Sequence, residues 1–279
     1  MDLLRSQLAR FFALLTPPPV SPLFLPGAAL GSLNEDLTLI AATLLYLLLL
    51  DALVLPRVLR NPQKSRWFAL HAAGNAVVTV AAAWDVVRTF AAPVANLVGP
   101  TGSMLPNAAI SAIHLYHLLF FRLSADDIFH HGLFVGVLCP LGVVFKNDGG
   151  ASLNFGAFFL CGLPGGLNYA ALVLNKEGRL TNLQQKWFDA AINTWMRAPA
   201  LAVFAFLQWQ VWAAGARPAR GWHPHLITFN TAAVAALHFY NGMYYAEQSV
   251  GNYHAHLERE KAAAAAGGGE APGAEKKKR

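Results

Sequence analysis

Residues 112–137, AIHLYHLLFFRLSADDIFHHGLFVGV, decide the fold of this chain. Two apolar runs flank a short polar hinge at residues 122–127, and four histidines lie inside or at the ends of those runs: His114, His117, His130 and His131. A charged residue at membrane depth costs roughly 2.5 to 3.5 kcal/mol on insertion scales. Four ionisable side chains in so short an apolar stretch therefore require either a functional or a structural reason.

The composition indicates an integral membrane protein. Of the 279 residues, 55% are hydrophobic and 13% are charged, whereas soluble domains average about 25% charged residues. The net charge of +6 is concentrated in the predicted loops and the C-terminal tail, so it indicates membrane topology and not nucleic-acid binding. No cofactor is predicted, and the sequence assigns no oligomeric state.

The hydropathy pattern predicts an all-α, polytopic transmembrane helix bundle of about seven spans. An amphipathic surface helix and a Pro-rich lead-in occupy residues 1–36, the bundle occupies residues 37–248, and a charged, mostly disordered tail occupies residues 249–279. The predicted spans are residues 37–55, 67–90, 107–123, 128–145, 152–174, 187–212 and 226–245. The fifth contains the segment GLPGG at residues 162–166, so we expect it to be kinked or briefly unwound.

The distribution of basic residues predicts the orientation of the bundle. If the loops alternate sides, most loop lysines and arginines lie on the side that holds the C-terminus, which favours a cytosolic C-terminus. The chain ends in KKKR at residues 276–279, and lysines at the third and fourth positions from the end resemble a dilysine retrieval signal of the endoplasmic reticulum. The alternative is a solvated basic tail that touches anionic lipid.

The four histidines suit proton transfer in a cavity between helices. His114 and His117 are three residues apart and project from one helix face, whereas the adjacent His130 and His131 diverge by slightly more than a quarter turn. A neutral imidazole donates through one nitrogen and accepts through the other. One of the adjacent pair would therefore deprotonate a nucleophile that attacks an activated acyl group. The alternative is that the imidazoles tie helices together by hydrogen bonds.

A histidine pair opens a predicted span directly after an acidic hinge, in the segment DDIFHH at residues 126–131, and a Trp-His helix with Trp67 and His71 precedes it. Over roughly residues 66–245, this pattern resembles the TLC-domain family of polytopic membrane proteins, which includes the ceramide synthases. The resemblance implies helices around a cavity for a long acyl chain, with membrane lipid and acyl-CoA as partners. It also implies three catalytic residues: His130, His131 and Asp127.

The chain departs from the ceramide synthases in the fifth helix. Those enzymes carry a His-Asp and a further Asp there, at positions that align with CGLPG at residues 161–165, where this chain has no acidic residue. Binding, sensing or remodelling of lipid is therefore favoured over N-acylation of a sphingoid base.

Several polar residues inside the predicted spans are candidates for contact with lipid. The predicted lipid-binding residues are His71, His114, His117, Arg197 and His238. The Arg197 guanidinium suits a lipid phosphate or carboxylate; the alternative is an ion pair with Asp85 or Asp189.

A histidine-box metal site is the remaining alternative. The His114-x-x-His117 spacing, together with the adjacent histidine pair, is similar to the boxes of membrane hydroxylases and desaturases, whose diiron sites need about eight histidines. The other histidines fall partly in loops and the tail, on different sides of the membrane in the predicted topology. No metal ligand is therefore assigned.

Overall fold

A computed structural model of the chain describes residues 33–93, 96, 103–123, 128, 131–144, 151–213 and 224–266. Within these ranges all regular secondary structure is helical, as the composition predicts. The helices are α1 (Leu33–Val58), α2 (Pro62–Ala91), α3 (Leu105–Phe120), α4 (His131–Val144), α5 (Ser152–Lys176), α6 (Asn182–Ile192, continued by Ala198–Ala213) and α7 (Pro224–Ala266).

Four of these helices, α1, α2, α5 and α6, are long and apolar enough to cross a membrane. They coincide with four of the predicted spans and are consistent with an integral membrane protein. Helix α3 has 16 residues, α4 is also shorter than a span, and α7 continues well beyond residue 245. The count of seven spans stays a prediction, and the predicted N-terminal surface helix and the KKKR tail lie outside the described residues.

Helix α2 lies at the centre of the bundle. In its most apolar window 50% of the residues are buried, against 17% for α1. It contributes to three apolar clusters, in which Leu70 packs with α1 and α3, Val78 with α3, α4 and α5, and Ala82 with α5 and α6. A Cβ atom added at Gly74 would lie 2.3 Å from the Ile113 side chain, so α2 and α3 are in close contact.

In the described part of the chain, four π-helical turns interrupt the helices, and each ends two residues before a proline. The turns are Leu50–Val54, Phe134–Leu138, Phe158–Gly162 and Asn193–Arg197, and the prolines are Pro56, Pro140, Pro164 and Pro199. A proline has no N–H, and its ring clashes with the carbonyl four residues earlier in an α-helix. A wider turn relieves that clash. The break predicted in the fifth span is therefore a π-helical turn within a continuous helix.

A tight turn joins α5 to α6. Gly178 has a φ angle of +74°, a left-handed conformation that glycine adopts without steric cost. The next N–H, of Arg179, donates to the Leu174 carbonyl at 2.8 Å, as in a Schellman motif. Thr181 and Gln184 then form a reciprocal capping box at the start of α6, so both helix ends have their backbone groups satisfied.

Glu177, directly after α5, binds the start of α2. Its carboxylate accepts hydrogen bonds from the N–H groups of Arg60 at 2.7 Å and Asn61 at 3.1 Å, and from Ser65 Oγ at 2.6 Å. The Ser65 hydroxyl above all, together with the two N–H groups, holds the pKa of Glu177 below its ordinary value of 4.5. The loop before α2 and the turn after α5 therefore lie at the same end of the bundle.

The opposite end of α2 is joined to the start of α5. Asn154 Nδ2 donates to Asp85 Oδ2 at 2.6 Å and to the Ser103 carbonyl at 2.9 Å. Helices α2 and α5 are therefore antiparallel neighbours that are hydrogen-bonded to each other at both ends.

Candidate functional site

Four buried histidines lie together where α2, α3 and α4 meet: His71, His114, His117 and His131. The ring centroids of His117 and His131 are 4.6 Å apart, and those of His114 and His131 are 5.0 Å apart. The His71 ring lies 6.3 Å from that of His117. Three helices thus bring their imidazoles into one cluster, which we call the histidine cluster.

His117 and His131 form a hydrogen-bonded imidazole pair. His131 Nε2 lies 2.7 Å from His117 Nδ1, so in the neutral pair one ring donates and the other accepts. His114 Nδ1 lies 2.7 Å from the Ile110 carbonyl, and a carbonyl only accepts. The His114 ring therefore carries its proton on Nδ1, and the hydrogen bond fixes its tautomer.

The Trp67 indole lies between two members of the histidine cluster. Its ring centroid is 3.6 Å from that of His71 and 3.7 Å from that of His117. His71 also stacks on Tyr169 of α5, with ring centroids 4.4 Å apart. Aromatic contacts thus hold the rings in place from both sides.

A cavity of about 290 Å³ opens beside the histidine cluster, between the start of α2 and the end of α3. It is lined by Pro62, Gln63, Arg66, Trp67, His117, Phe121 and Arg122. His117 and Trp67 form its inner wall, and Arg122 is exposed at its mouth. Its volume is near the lower end of ordinary ligand sites, about 300 Å³.

A buried carboxylate of α1 fixes one side of this cavity. Arg66 donates through Nε and Nη2 to the two carboxylate oxygens of Asp51, in a two-point fork. The Tyr116 hydroxyl donates to the same carboxylate at 2.5 Å. Because Asp51 balances the charge of Arg66, the net positive charge at the mouth comes from Arg122.

Of the predicted catalytic residues, His131 lies in the histidine cluster, whereas His130 and Asp127 lie outside the described residues. Three predicted lipid-binding residues, His71, His114 and His117, are also in the cluster. The other two, Arg197 and His238, lie elsewhere, where α6 meets α7.

His238 packs against α6. Its Nδ1 lies 2.7 Å from the Val234 carbonyl, and its ring centroid is 4.6 Å from that of Phe204. The ring also faces α5, since a Cβ atom added at Gly156 would lie 2.7 Å from its Nε2. His238 therefore fills a junction of three helices.

Arg197 is bonded to an amide and not to an acid. Its Nη1 donates to Asn193 Oδ1 at 2.6 Å, and no carboxylate among the described residues lies within ion-pair distance of the guanidinium. The alternative of a direct ion pair with Asp85 or Asp189 is therefore wrong. Asn193 Nδ2 donates to Asp189 Oδ1 at 2.9 Å, so the carboxylate is reached only through the amide.

Metal binding finds no geometric support in the ranges that the structure describes. No group of three or more His, Cys, Asp or Glu side chains is arranged there to hold a metal ion. The imidazoles of the cluster bond to carbonyls and to each other instead.

Asp51, Arg66 and Tyr116 are not among the predicted site residues. One signal in the sequence points to the first of them, because Asp51 is the only Asp, Glu, His, Lys or Arg in predicted span 37–55. Such a residue at membrane depth needs a partner. The partners themselves lie on two other helices, which the sequence pattern does not bring together.

Comparisons with protein-family models, with characterised proteins and with solved structures give no match for this chain.

Proposed function

We propose that this chain is an integral membrane protein of TLC type that binds a long-chain lipid or acyl-CoA at the cavity beside Trp67 and His117. The composition of the cavity wall is the observation that supports the proposal. Aromatic rings and an imidazole lie inside, and the exposed guanidinium of Arg122 lies at the mouth. An acyl chain suits the rings, and an anionic head group suits the guanidinium.

Acyl transfer is the reaction that the imidazole pair would support. His117 lines the cavity and His131 lies behind it, so we assign the base to His117 and a positioning role to His131. When His131 Nε2 accepts the Nδ1 proton of His117, the lone pair of His117 is on Nε2. That nitrogen takes the proton of a lipid hydroxyl or amine as it attacks the thioester carbonyl of an acyl-CoA. The carbon–sulfur bond breaks, and the leaving thiolate receives the proton.

The proposed location is the endoplasmic reticulum with a cytosolic C-terminus. The distribution of basic residues between the predicted loops supports this orientation. It would put the mouth of the cavity, between Pro62 and Arg122, on the cytosolic side, where acyl-CoA approaches.

The enzyme proposal is tested by lipid analysis of cells that lack the protein and express a variant in its place. We expect His117→Ala to reproduce the lipid profile of the deletion while the protein stays folded and abundant. His254→Ala changes an exposed histidine of α7 and should restore the wild-type profile. A wild-type profile in cells that express a folded His117→Ala variant would contradict acyl transfer.

A lipid-binding protein without catalysis is the second candidate function. It is favoured by the hydrogen bonds of the cluster, since His71 and His114 each bond to a carbonyl of their own helix and His117 bonds to His131. Imidazoles that bond to their own helix, or that join α3 to α4 as the His117–His131 pair does, need not transfer protons.

Binding itself is tested on purified protein in neutral detergent. We expect long-chain acyl-CoA to raise the melting temperature of the wild type, because a ligand of the native state stabilises it. Arg122→Glu should abolish the increase by repelling the anion, whereas Arg179→Glu, at an exposed arginine of the α5–α6 turn, should keep it. If neither variant alters the response, or if no increase occurs, the cavity is not the lipid site.

A further inference from the structure

Arg197 carries a buried positive charge inside a candidate membrane span. The residue is 7% exposed and ends the π-helical turn Asn193–Arg197 within Asn182–Gln210. A buried cation is strongly destabilising unless an anion compensates it. The groups that contact Arg197 therefore show whether the protein itself provides an anion that compensates this charge.

One edge of the guanidinium has no acceptor among the described residues. Nη1 is bonded to Asn193, whereas Nε is buried and no described atom accepts its proton. Nη2 lies on the same edge as Nε, and no hydrogen bond from it to a described residue is formed. The two donors that face the same way are thus both open.

Arg66 provides the internal comparison. There the same two nitrogens, Nε and Nη2, bind the two oxygens of Asp51. A carboxylate or phosphate matches this edge because its oxygens accept two parallel N–H bonds. Arg197 presents the same fork without a protein carboxylate in it.

The side chains that contact Arg197 directly are uncharged, and the Asp189 carboxylate is linked to it only through the Asn193 amide. The Tyr245 ring centroid lies 5.2 Å from its Cζ, and a Cβ atom added at Gly165 would lie 3.5 Å from its Nη2. Asn168, three residues along α5 on the same face as Gly165, has a buried amide oxygen to which no described residue donates. Two buried polar atoms near this site, Arg197 Nε on α6 and Asn168 Oδ1 on α5, therefore have no hydrogen-bond partner among the described residues.

The tryptophans of α6 indicate the depth of this site. Trp195 is 81% exposed and Trp209 is 54% exposed, and exposed tryptophans favour the membrane–water interface. Trp209 follows Trp195 by 14 residues, a rise of about 21 Å along a helix, which is most of the hydrocarbon core of about 30 Å. Arg197 follows Trp195 by two residues, so it lies near the boundary where lipid head groups are found.

We propose that Nε and Nη2 of Arg197 bind the anionic head group, a carboxylate or phosphate, of a membrane lipid. The fork supplies two parallel charge-assisted hydrogen bonds, and the lipid supplies the directly bonded negative charge that no described side chain provides. The site lies at the junction of α5, α6 and α7, so it is separate from the cavity beside the histidine cluster. It does not depend on the proposed acyl transfer.

The test measures the melting temperature of purified protein in neutral detergent micelles with four additives. These are oleate, phosphatidic acid, neutral dioleoylglycerol and inorganic phosphate. We expect at least one of the two anionic lipids to raise the melting temperature of the wild type, and the other two additives to leave it unchanged. An equal increase with inorganic phosphate would overturn the assignment to lipid.

Two variants distinguish the contribution of the two parallel N–H donors of Arg197 from that of its positive charge. Arg197→Lys keeps the charge but cannot form the fork, so we expect its apparent affinity for the anionic lipid to fall about tenfold or more. Arg197→Gln removes the charge, so without lipid it should melt at or above the wild-type temperature, and the anionic lipid should not stabilise it.

Arg179→Lys and Arg179→Gln are the matched controls, because Arg179 is exposed in the α5–α6 turn. Both should retain the wild-type response to lipid. An Arg197→Gln protein that fails to fold, or that melts well below the wild type without lipid, would mean that the guanidinium is already compensated within the protein. That result, or an unchanged lipid response in Arg197→Lys, would overturn the proposal.

Discussion

A single carboxylate, that of Glu177, ties the turn after α5 to the start of α2. Because its pKa is lowered in the folded protein, its contribution to stability is fully present above the ordinary carboxyl pKa of 4.5. The contribution is lost as the pH falls through the lowered value. We expect Glu177→Gln to lower the melting temperature at neutral pH, because an amide is a weaker acceptor for three donors.

The measurement is thermal unfolding of both proteins between pH 3 and pH 8. The difference between wild type and Glu177→Gln should be largest near neutrality and should shrink below about pH 4.5. Glu258→Gln is the control, since Glu258 accepts only from Lys261 on the exposed end of α7 and holds no second helix. If the difference in melting temperature between wild type and Glu177→Gln did not change with pH, the charge of Glu177 would not be what stabilises its contact with α2.

At the scale of single residues, the sequence predicts which side chains share a helix face but not which atoms they contact. The spacing of His114 and His117 predicts that they share a helix face, and the structure brings both to His131. Of the two alternatives for Arg197, the direct ion pair with Asp85 or Asp189 is wrong, and contact with lipid stays a prediction. The choice between an acid and an amide depends on side-chain positions within a few ångströms. No pattern along the chain specifies such positions.

At the scale of elements, proline positions predict where the helices widen. In the described helices α1, α4, α5 and α6, each of the four π-helical turns ends two residues before a proline. Two buried charged side chains, Asp51 and Arg197, lie on such turns. The sequence predicts a break only in the fifth span. The same clash between the proline ring and the preceding carbonyl would have located the others.

Gly178, in the turn between α5 and α6, has a left-handed backbone conformation that favours glycine. A Cβ atom in the left-handed region costs about 1 to 2 kcal/mol, so we expect Gly178→Ala to lower the free energy of unfolding by about that amount and to loosen the α5–α6 turn. Chemical denaturation in mixed micelles measures the change.

Gly251→Ala is the matched control for that substitution. Gly251 lies within α7, and a Cβ atom added there meets no atom within 4 Å. Alanine should therefore leave stability unchanged or raise it by about 0.5 to 1 kcal/mol, since it favours helix over glycine. Equal losses for the two variants would contradict the special role of the Gly178 conformation.

For the whole molecule, the hydrogen bonds at the two ends of α2 predict its topology. We expect cysteines placed at Lys64 and Arg179 to react with a membrane-impermeant maleimide from one side of sealed vesicles, and a cysteine at Ala92 to react only from the other. All three positions are exposed, and the native Cys139 and Cys161 would be replaced by alanine. Reaction of Lys64→Cys and Ala92→Cys from the same side would mean that α2 does not cross the membrane.

Apolar runs predict four spans of this molecule because a bilayer requires about 20 consecutive apolar residues. The same rule does not define the structure elsewhere: α3 ends after 16 residues, and α7 extends to Ala266 with a polar composition. The order of packing around α2 is also not predicted, because it depends on contacts such as that between Gly74 and Ile113. Such contacts join residues that are far apart in the chain.

The indole held between His71 and His117 gives this protein a built-in optical reporter. Indole emission responds to the polarity and protonation of the groups that touch the ring, and Trp67 lines the cavity while it contacts two imidazoles. We therefore expect a molecule that enters the cavity to change the emission of Trp67. The difference spectrum between wild type and Trp67→Phe isolates that signal from the other tryptophans, so occupancy is readable without a label.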